Sequence, residues 1–569
     1  MVYRTEHPKP QFVRKNWENL NGEWDFEIDY SVSGEAKEFF KADKEFSQKI
    51  QVPFCPESKL SGVENKDFLN AVWYKREIEI TKKQLEGHVI LHFGAVDYEA
   101  TIFVNEQKCG THKGGFVSFS MDITEYLQEG KNLLVVEAKD DTRDPMIPGG
   151  KQSSRFASWG CYYTRSTGIW QTVWMEFVPK NYILSTKYDT NVETGILSIT
   201  AEVCGSGTFI AEAFYEGRSV GKSESIVYGG IATLHMTLRE KHLWEVGNGR
   251  LYDLKLTFGE DEVDSYFGLR SLRLDGFKFL INEKSVFQRL ILDQGYYPDG
   301  IYTAPSDAEL EADIDRSLAM GFNGARLHEK IFEERFLYHC DRKGYIVWEE
   351  YPNWGLNHTE SCSVFSILPE WMETVKRDYN HPSIVGWCPM NEVWDIERRQ
   401  PYADVIRTVY EVTKAIDPIR PCIDASGGYH VATDIFDVHD YAQEPQVLYE
   451  HFKDFEEERI FYDREEKKHF NQYAGQPMFI SEYGGIRWTD DQSGWGYGQG
   501  PATREEFLER LEGLTDVLLD NPCMFGLCYT QLTDVEQEQN GLYTYQREPK
   551  FEPEKIRRIF SKKAAIESE

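Results

Sequence analysis

From about residue 270 the chain alternates short apolar runs with amphipathic helical stretches, and few folds accept that rhythm over so long a segment. The runs are "VFQRLILDQ", "FNGARLH", "YIVWEEY", "SIVGWCPMNE", "PCIDAS", "IFDVHDY", "PMFISEY" and "MFGLCYTQL". Between them lie stretches with helical character, such as "SDAELEADIDRSLAMG", "FEERFLYHCDRKG" and "YADVIRTVYEVTKAID". Gly321 ends the first of these, and a strand enters at once. Eight strands with intervening helices predict a (β/α)8 TIM barrel, which takes about 250 residues or more.

In such a barrel the working groups sit at the C-terminal ends of the strands. Two of the apolar runs end on a glutamate there, Glu392 in "SIVGWCPMNEVW" and Glu482 in "PMFISEYGG". They are 90 residues apart, which is about three βα units of roughly 30 residues each. That spacing sets the two carboxylates facing each other across the barrel mouth. Glycosidic bond cleavage needs such a pair, an acid to protonate the leaving oxygen and a carboxylate near the anomeric carbon. The dipeptide Asn-Glu occurs three times, but Asn105-Glu106 and Asn282-Glu283 fall in hairpin-like turns. Only Asn391-Glu392 ends a predicted barrel strand.

The preceding 269 residues read differently. Residues 1–180 hold short strands rich in aromatic and β-branched residues, among them "YKREIEI", "HVILHFGAV" and "NLLVVEAKD", and predict a β jelly-roll sandwich. Residues 181–269 alternate apolar and polar positions on a smaller scale and predict an immunoglobulin-like β-sandwich. The expected fold class is therefore multidomain: jelly roll 1–180, immunoglobulin-like sandwich 181–269, and catalytic (β/α)8 barrel 270–569.

Composition narrows the function. A net charge of −32 disfavours nucleic acid as a partner. No run approaches the roughly 20 apolar residues of a membrane span, and the polar start "MVYRTEHPKPQFVRKNW" has no signal-peptide core. The ten cysteines are scattered without a CxxC pair, which fits free thiols in a cytoplasmic protein better than disulfides or a metal site. No glycine-rich phosphate loop or dinucleotide fingerprint appears, so no cofactor is expected.

The barrel segments "RDYNHPSIVGWCPMNE" and "FISEYGG" resemble the acid/base and nucleophile signatures of glycoside hydrolase family 2, the family of β-galactosidases, β-glucuronidases and β-mannosidases. "NLNGEWDFEID", "QVPFCPE", "AVWYKREIEI" and "YYTRSTGIWQTVWMEF" are similar to that family's N-terminal sugar-binding jelly roll. The resemblance implies that Glu392 is the general acid/base and Glu482 the nucleophile of a retaining mechanism. It implies that Asn391 meets the sugar 2-hydroxyl, that Tyr441 hydrogen-bonds the nucleophile, and that Arg326 lies beside it. His328, Asp293, His439, Asp440 and Trp488 lie on the presumed top-face loops as further sugar-pocket candidates. The reaction needs no metal, although some relatives bind Mg²⁺ or Na⁺ structurally, and homo-oligomers are common in the family.

Three departures bear on substrate. "RLHEKIFE" replaces a frequent His-Tyr-Pro run after the strand-2 Arg, and Thr530 stands where the family commonly has Trp. In "EQNGLYTYQREPK", Asn540 is present but Leu542 occupies the place of the lysine with which β-glucuronidases hold the sugar carboxylate. Arg487 and Lys330 are the nearest cationic substitutes. The leading expectation is thus a neutral-sugar exo-β-glycosidase, a β-galactosidase. The alternatives are a glucuronidase, another uronidase, a mannosidase or an arabinopyranosidase of the same mechanism, and a non-catalytic carbohydrate-binding protein.

Overall fold

The computed structural model describes residues 2–453, 455, 473–491 and 493–567. The N-terminal part packs a four-stranded sheet (Trp17–Asn19, Val173–Val178, His88–Phe93, Phe119–Asp122) on a six-stranded one running from Gln48–Val52 to Gln107–Lys113. Alternating side chains of both sheets, among them Trp24, Phe26, Leu91 and Met175, fill the space between them. Three strands and four strands then form a second sandwich over Tyr182–Phe267, with its own core of Ile199, Phe209, Leu254 and Phe258.

The barrel sheet follows. Its parallel strands run in spatial order Ile384–Cys388, Ile346–Glu350, Gly324–Leu327, Gln288–Asp293, Met524–Thr530, Met478–Gly484 and Phe436–Asp440. Every residue of the Met478–Gly484 and Met524–Thr530 strands is buried, as a sheet covered on both faces requires. The helix Asp307–Ala319 opens where Ser306 accepts a hydrogen bond from Glu309 N, and the chain turns at Gly321 with φ 94°.

Seven of the eight expected barrel strands are regular. The segment "PCIDAS" makes only isolated parallel bridges, Trp387 to Cys422 and Asn391 to Ser426. On its other flank side chains supplement one backbone bond, from Asp434 N to Cys422 O at 3.0 Å. Asp434 accepts from Cys422 N at 2.9 Å, and Asp437 accepts from Ser426 Oγ at 2.6 Å. This eighth stave closes the ring between the strands that lead to Glu392 and to Tyr441.

The N-terminal sandwich is built into the barrel rather than tethered to it. Cys55, Ala95, Phe116, Tyr163 and Trp170 belong to the same continuous core as the barrel strands. Phe116 N donates to Glu370 Oε1 at 2.7 Å, and Trp170 Nε1 donates to Gly115 O at 2.7 Å.

Candidate active site

Glu482 sits within strand Met478–Gly484, and its two oxygens are fully engaged. Arg326, from strand Gly324–Leu327, donates to Oε1 at 2.7 Å, and the Tyr441 hydroxyl donates to Oε2. His439 Nδ1 lies 3.4 Å from Oε2. Burial alone would raise this carboxyl's pKa, but the charges of His439 and Arg326 outweigh burial and pull it down to about 2. Glu482 is therefore held as an ionised carboxylate, the state that a nucleophilic carboxylate needs.

Glu392 lies just past strand Ile384–Cys388 at φ 45°, a left-handed conformation that costs a non-glycine residue about 1–2 kcal/mol. Its surroundings hold it there. Glu392 N donates to Ser426 O at 2.8 Å, and Asn391 N donates to Asn353 Oδ1 at 2.6 Å. The Glu392 side chain is the most accessible of the cluster, at 20% exposure, and Oε1 meets His439 Nδ1 at 2.7 Å. One imidazole thus bridges the two glutamates. Burial would lower the pKa of His439, but the Glu482 and Glu392 carboxylates raise it. Donor atoms of Glu392, His439 and Glu482 all lie within 4.8 Å of one another. That spacing could hold a metal ion, but the Arg326 guanidinium already supplies the positive charge at Glu482.

Arg326 is fully buried and serves as a hub. Besides Glu482 it donates to Asn391 Oδ1 at 2.6 Å and to Glu350. Asn391 is left with Nδ2 buried and, among the described residues, without a hydrogen-bond partner. An open amide donor beside Glu482 is what a sugar hydroxyl would satisfy. His328 Nδ1 lies 2.8 Å from Glu350 Oε1. Burial and the nearby Lys151 charge push the His328 pKa well below the usual histidine range, so its ring is neutral. Tyr441 stacks on Tyr497 at 3.4 Å, and its hydroxyl lies 3.2 Å from Thr530 Oγ1.

Seven of the sequence candidates therefore converge: Glu392, Glu482, Asn391, Tyr441, Arg326, His328 and His439. Three lie apart from the cluster. Asp293 accepts from Gly295 N at 2.9 Å, and burial and Asp313 raise its pKa to about 6. Asp440 pairs with His451 at 2.6 Å. Trp488 packs on Phe551 in the barrel core, and its carbonyl accepts from Lys550. Of the two cationic substitutes, Lys330 is buried and donates to Gly295 O at 2.6 Å and Tyr302 O at 2.8 Å, and Arg487 reaches Gly494 O at 3.4 Å. Leu542 is fully buried in the core.

The sequence reading missed Glu350, Asn353, Ser426 and, above all, Lys151. "EEY" at the end of the third strand was a legible signal for Glu350. Lys151 comes from the N-terminal sandwich, where no periodicity points at the barrel. Its loop reaches the barrel mouth because Gly149 N and Gly150 N both donate to Trp354 O, at 2.8 and 3.1 Å. Gly150 has φ 56°, and a Cβ there would meet Glu329 O at 2.5 Å. Next in sequence, the Lys151 ammonium lies 3.6 Å from the centre of the Trp354 ring, and its charge acts on Glu482, His328 and Glu538.

The same loop is locked to the turn after the last barrel strand by a closed ring of hydrogen bonds. Gln294 Nε2 donates to Tyr163 Oη and to Gln531 Oε1, each at 2.9 Å. Tyr163 donates to Glu538 at 2.5 Å, Asn540 donates to Glu538 at 3.0 Å, and Gln531 donates to Asn540 at 2.7 Å. The closed ring ties the loop to the turn through five side chains, while Gln294 Oε1 is buried without a hydrogen-bond partner among the described residues.

A barrel with a strand-borne carboxylate pair, carrying a jelly roll on its mouth, defines a glycoside hydrolase, and known proteins agree. Residues 17–141 match the sugar-binding domain of glycosyl hydrolases family 2, and residues 303–491 match that family's TIM barrel domain. These matches cover more than half of the chain between them, and the chain belongs to glycoside hydrolase family 2. A β-glucuronidase of Streptococcus agalactiae is 23% identical over 94% of both chains. A putative β-glucuronidase of Formosa agariphila is 29% identical over 57% of this chain, which spans 40% of that protein. The structure of a β-glucuronidase from an uncultured Clostridium superposes with a TM-score of 0.80 at 21% identity, covering 98% of this chain and 99% of that one.

Proposed function

We propose that the protein is a retaining exo-β-glycosidase and that its substrates are terminal β-linked uronides. The observation that carries the mechanism is the pair of carboxylates whose oxygens come within 4.8 Å. That is closer than the roughly 6.5–9.5 Å separation by which inverting enzymes leave room for a water. Glu482, held ionised, attacks the anomeric carbon. Glu392 protonates the departing oxygen, and a glycosyl ester forms on Glu482. Glu392 then takes a proton from water, which releases the sugar with its configuration retained. Arg326 and Tyr441 orient the nucleophile, His439 spans both carboxylates, and the open Asn391 amide donates to the sugar.

The names of the curated relatives support a uronide. A second reading, a neutral sugar such as a β-galactoside, draws on the loop after the last barrel strand. Leu542 stands where a uronide-binding lysine was expected, and the Asn540 side chain is spent on Glu538 and Gln531. Comparing kcat/KM for p-nitrophenyl β-glucuronide and β-galactoside separates the two. A preference for the galactoside sinks the uronide reading. NMR of the first-formed sugar tests retention, and an inverted anomer would remove the nucleophile role from Glu482.

A further inference from the structure

We infer that Lys151, on the N-terminal sandwich, is the cation that binds the carboxylate of a uronide in the active site. The inference rests on the uronide reading and supplies what that reading lacks, a positive charge in place of the missing lysine at position 542.

The first ground is an open valence. Lys151 is 5% exposed, yet among the described residues its ammonium makes no hydrogen bond or ion pair. The face of Trp354 meets it, 3.6 Å from the ring centre. An ammonium carries three N–H donors; burial disfavours its charge, but Cys161, Glu538, Glu329 and Glu482 hold its pKa above the usual lysine value, so the group stays charged with its donors open. A ligand carboxylate would fill those donors.

The second ground is location. The Lys151 charge acts on the nucleophile Glu482 and on His328 beside it, so the group lies within electrostatic reach of the reacting sugar. Two other cations of the barrel have fixed duties. Arg326 is bound to Glu482 and Glu350, and Lys330 to two backbone carbonyls. The third ground is rigidity. The neighbouring glycines are pinned to Trp354 O, and Lys151 O accepts from Tyr163 N at 2.7 Å. Tyr163 itself belongs to the locked hydrogen-bond ring. A cation held this way can discriminate between a carboxylate and a hydroxymethyl group.

The test is the ratio of kcat/KM on p-nitrophenyl β-glucuronide to that on p-nitrophenyl β-galactoside, measured for the full chain and for Lys151→Met, Lys151→Arg and Arg487→Ala. Thermal melts check that each variant is folded. The ratio should fall by about 10²–10³-fold in Lys151→Met, since truncating one partner of a buried charge pair is this expensive. It should fall less in Lys151→Arg, which keeps the charge. Inhibition by free glucuronate, compared with glucose, should weaken in the same order and needs no turnover. If the unaltered protein prefers the glucuronide and Lys151→Met keeps that preference, the assignment of Lys151 is wrong while the uronide reading stands. If Arg487→Ala collapses the ratio instead, Arg487 is the cation. If the unaltered protein cleaves only the neutral glycoside, the uronide reading and this inference fall together.

Discussion

Two glutamates of like chemistry are given different work by their neighbours. Glu482 accepts from a guanidinium and a phenol, whereas the Glu392 side chain, among the described residues, meets the shared His439 and is partly exposed. Glu482→Ala should abolish turnover with every leaving group, because no glycosyl ester can form. Glu392→Ala removes only proton transfer. It should cost roughly 10²–10⁴-fold on poor leaving groups and far less on activated aryl glycosides. Azide, which needs no deprotonation, should rescue it and yield a β-glycosyl azide. Equal losses on good and poor leaving groups, with no azide effect, would end the acid/base assignment. The depressed pKa of Glu482 also predicts a pH dependence. A carboxyl whose folded pKa is about 2 contributes stability that is present above the unfolded value of about 4.3. That contribution is lost as pH falls from there through the folded pKa. Native protein should therefore lose stability below about pH 4 in denaturant titrations, and Glu482→Gln should flatten that dependence. An unchanged acid limb in the variant would mean that other carboxyls set it.

Whole elements were more legible than single contacts. The alternation after residue 270 announces the barrel because a strand buried on both faces must be apolar throughout, and the chain then has only its ends for polar groups. For that reason Glu392 and Glu482 could be read directly. Trp488 and Asp293 could not be separated from true pocket groups, because a top-face loop position does not say which way a side chain turns. The stave "PCIDAS" reads as a strand and keeps backbone bonds to one neighbour, yet on its other flank the Asp434 and Asp437 side chains join in the pairing, a choice that no local pattern encodes. The loop at Gly149–Gly150 is the element on which the geometry of the mouth depends. Gly150→Ala would add a Cβ 2.5 Å from Glu329 O at a φ of 56°. The conformation alone costs about 1–2 kcal/mol, and relief of the clash requires the loop to withdraw from Trp354. Substrate KM should rise more than kcat falls, with a lowered Tm. A variant with unchanged KM would show that the loop does not seat the substrate.

At the scale of the molecule, the N-terminal sandwich and the barrel share one core, and they should therefore unfold as one. Trp170 and Phe116 of the sandwich both pack against Tyr302 of the barrel, with ring centroids 5.2 and 5.8 Å apart. Trp170 is fully buried, and its backbone carbonyl accepts from Thr303 Oγ1. Neither part can separate without exposing these rings and leaving the Glu370 carboxylate without its partners Phe116 N and Val117 N. Lost apolar burial and the lost backbone hydrogen bonds to Glu370 both oppose a half-unfolded state. Calorimetry should accordingly give a single cooperative transition for sandwich and barrel. Trp170→Ala, a large-to-small change in a close-packed site, should cost about 3–5 kcal/mol and lower that transition as a whole. Intrinsic tryptophan fluorescence and loss of glycosidase activity should then report the same midpoint. Two resolved transitions, with Trp170→Ala moving only one of them, would refute the shared core. They would also mean that the lysine delivered to the active site by the sandwich is held less firmly than the hydrogen-bond ring around Tyr163 implies.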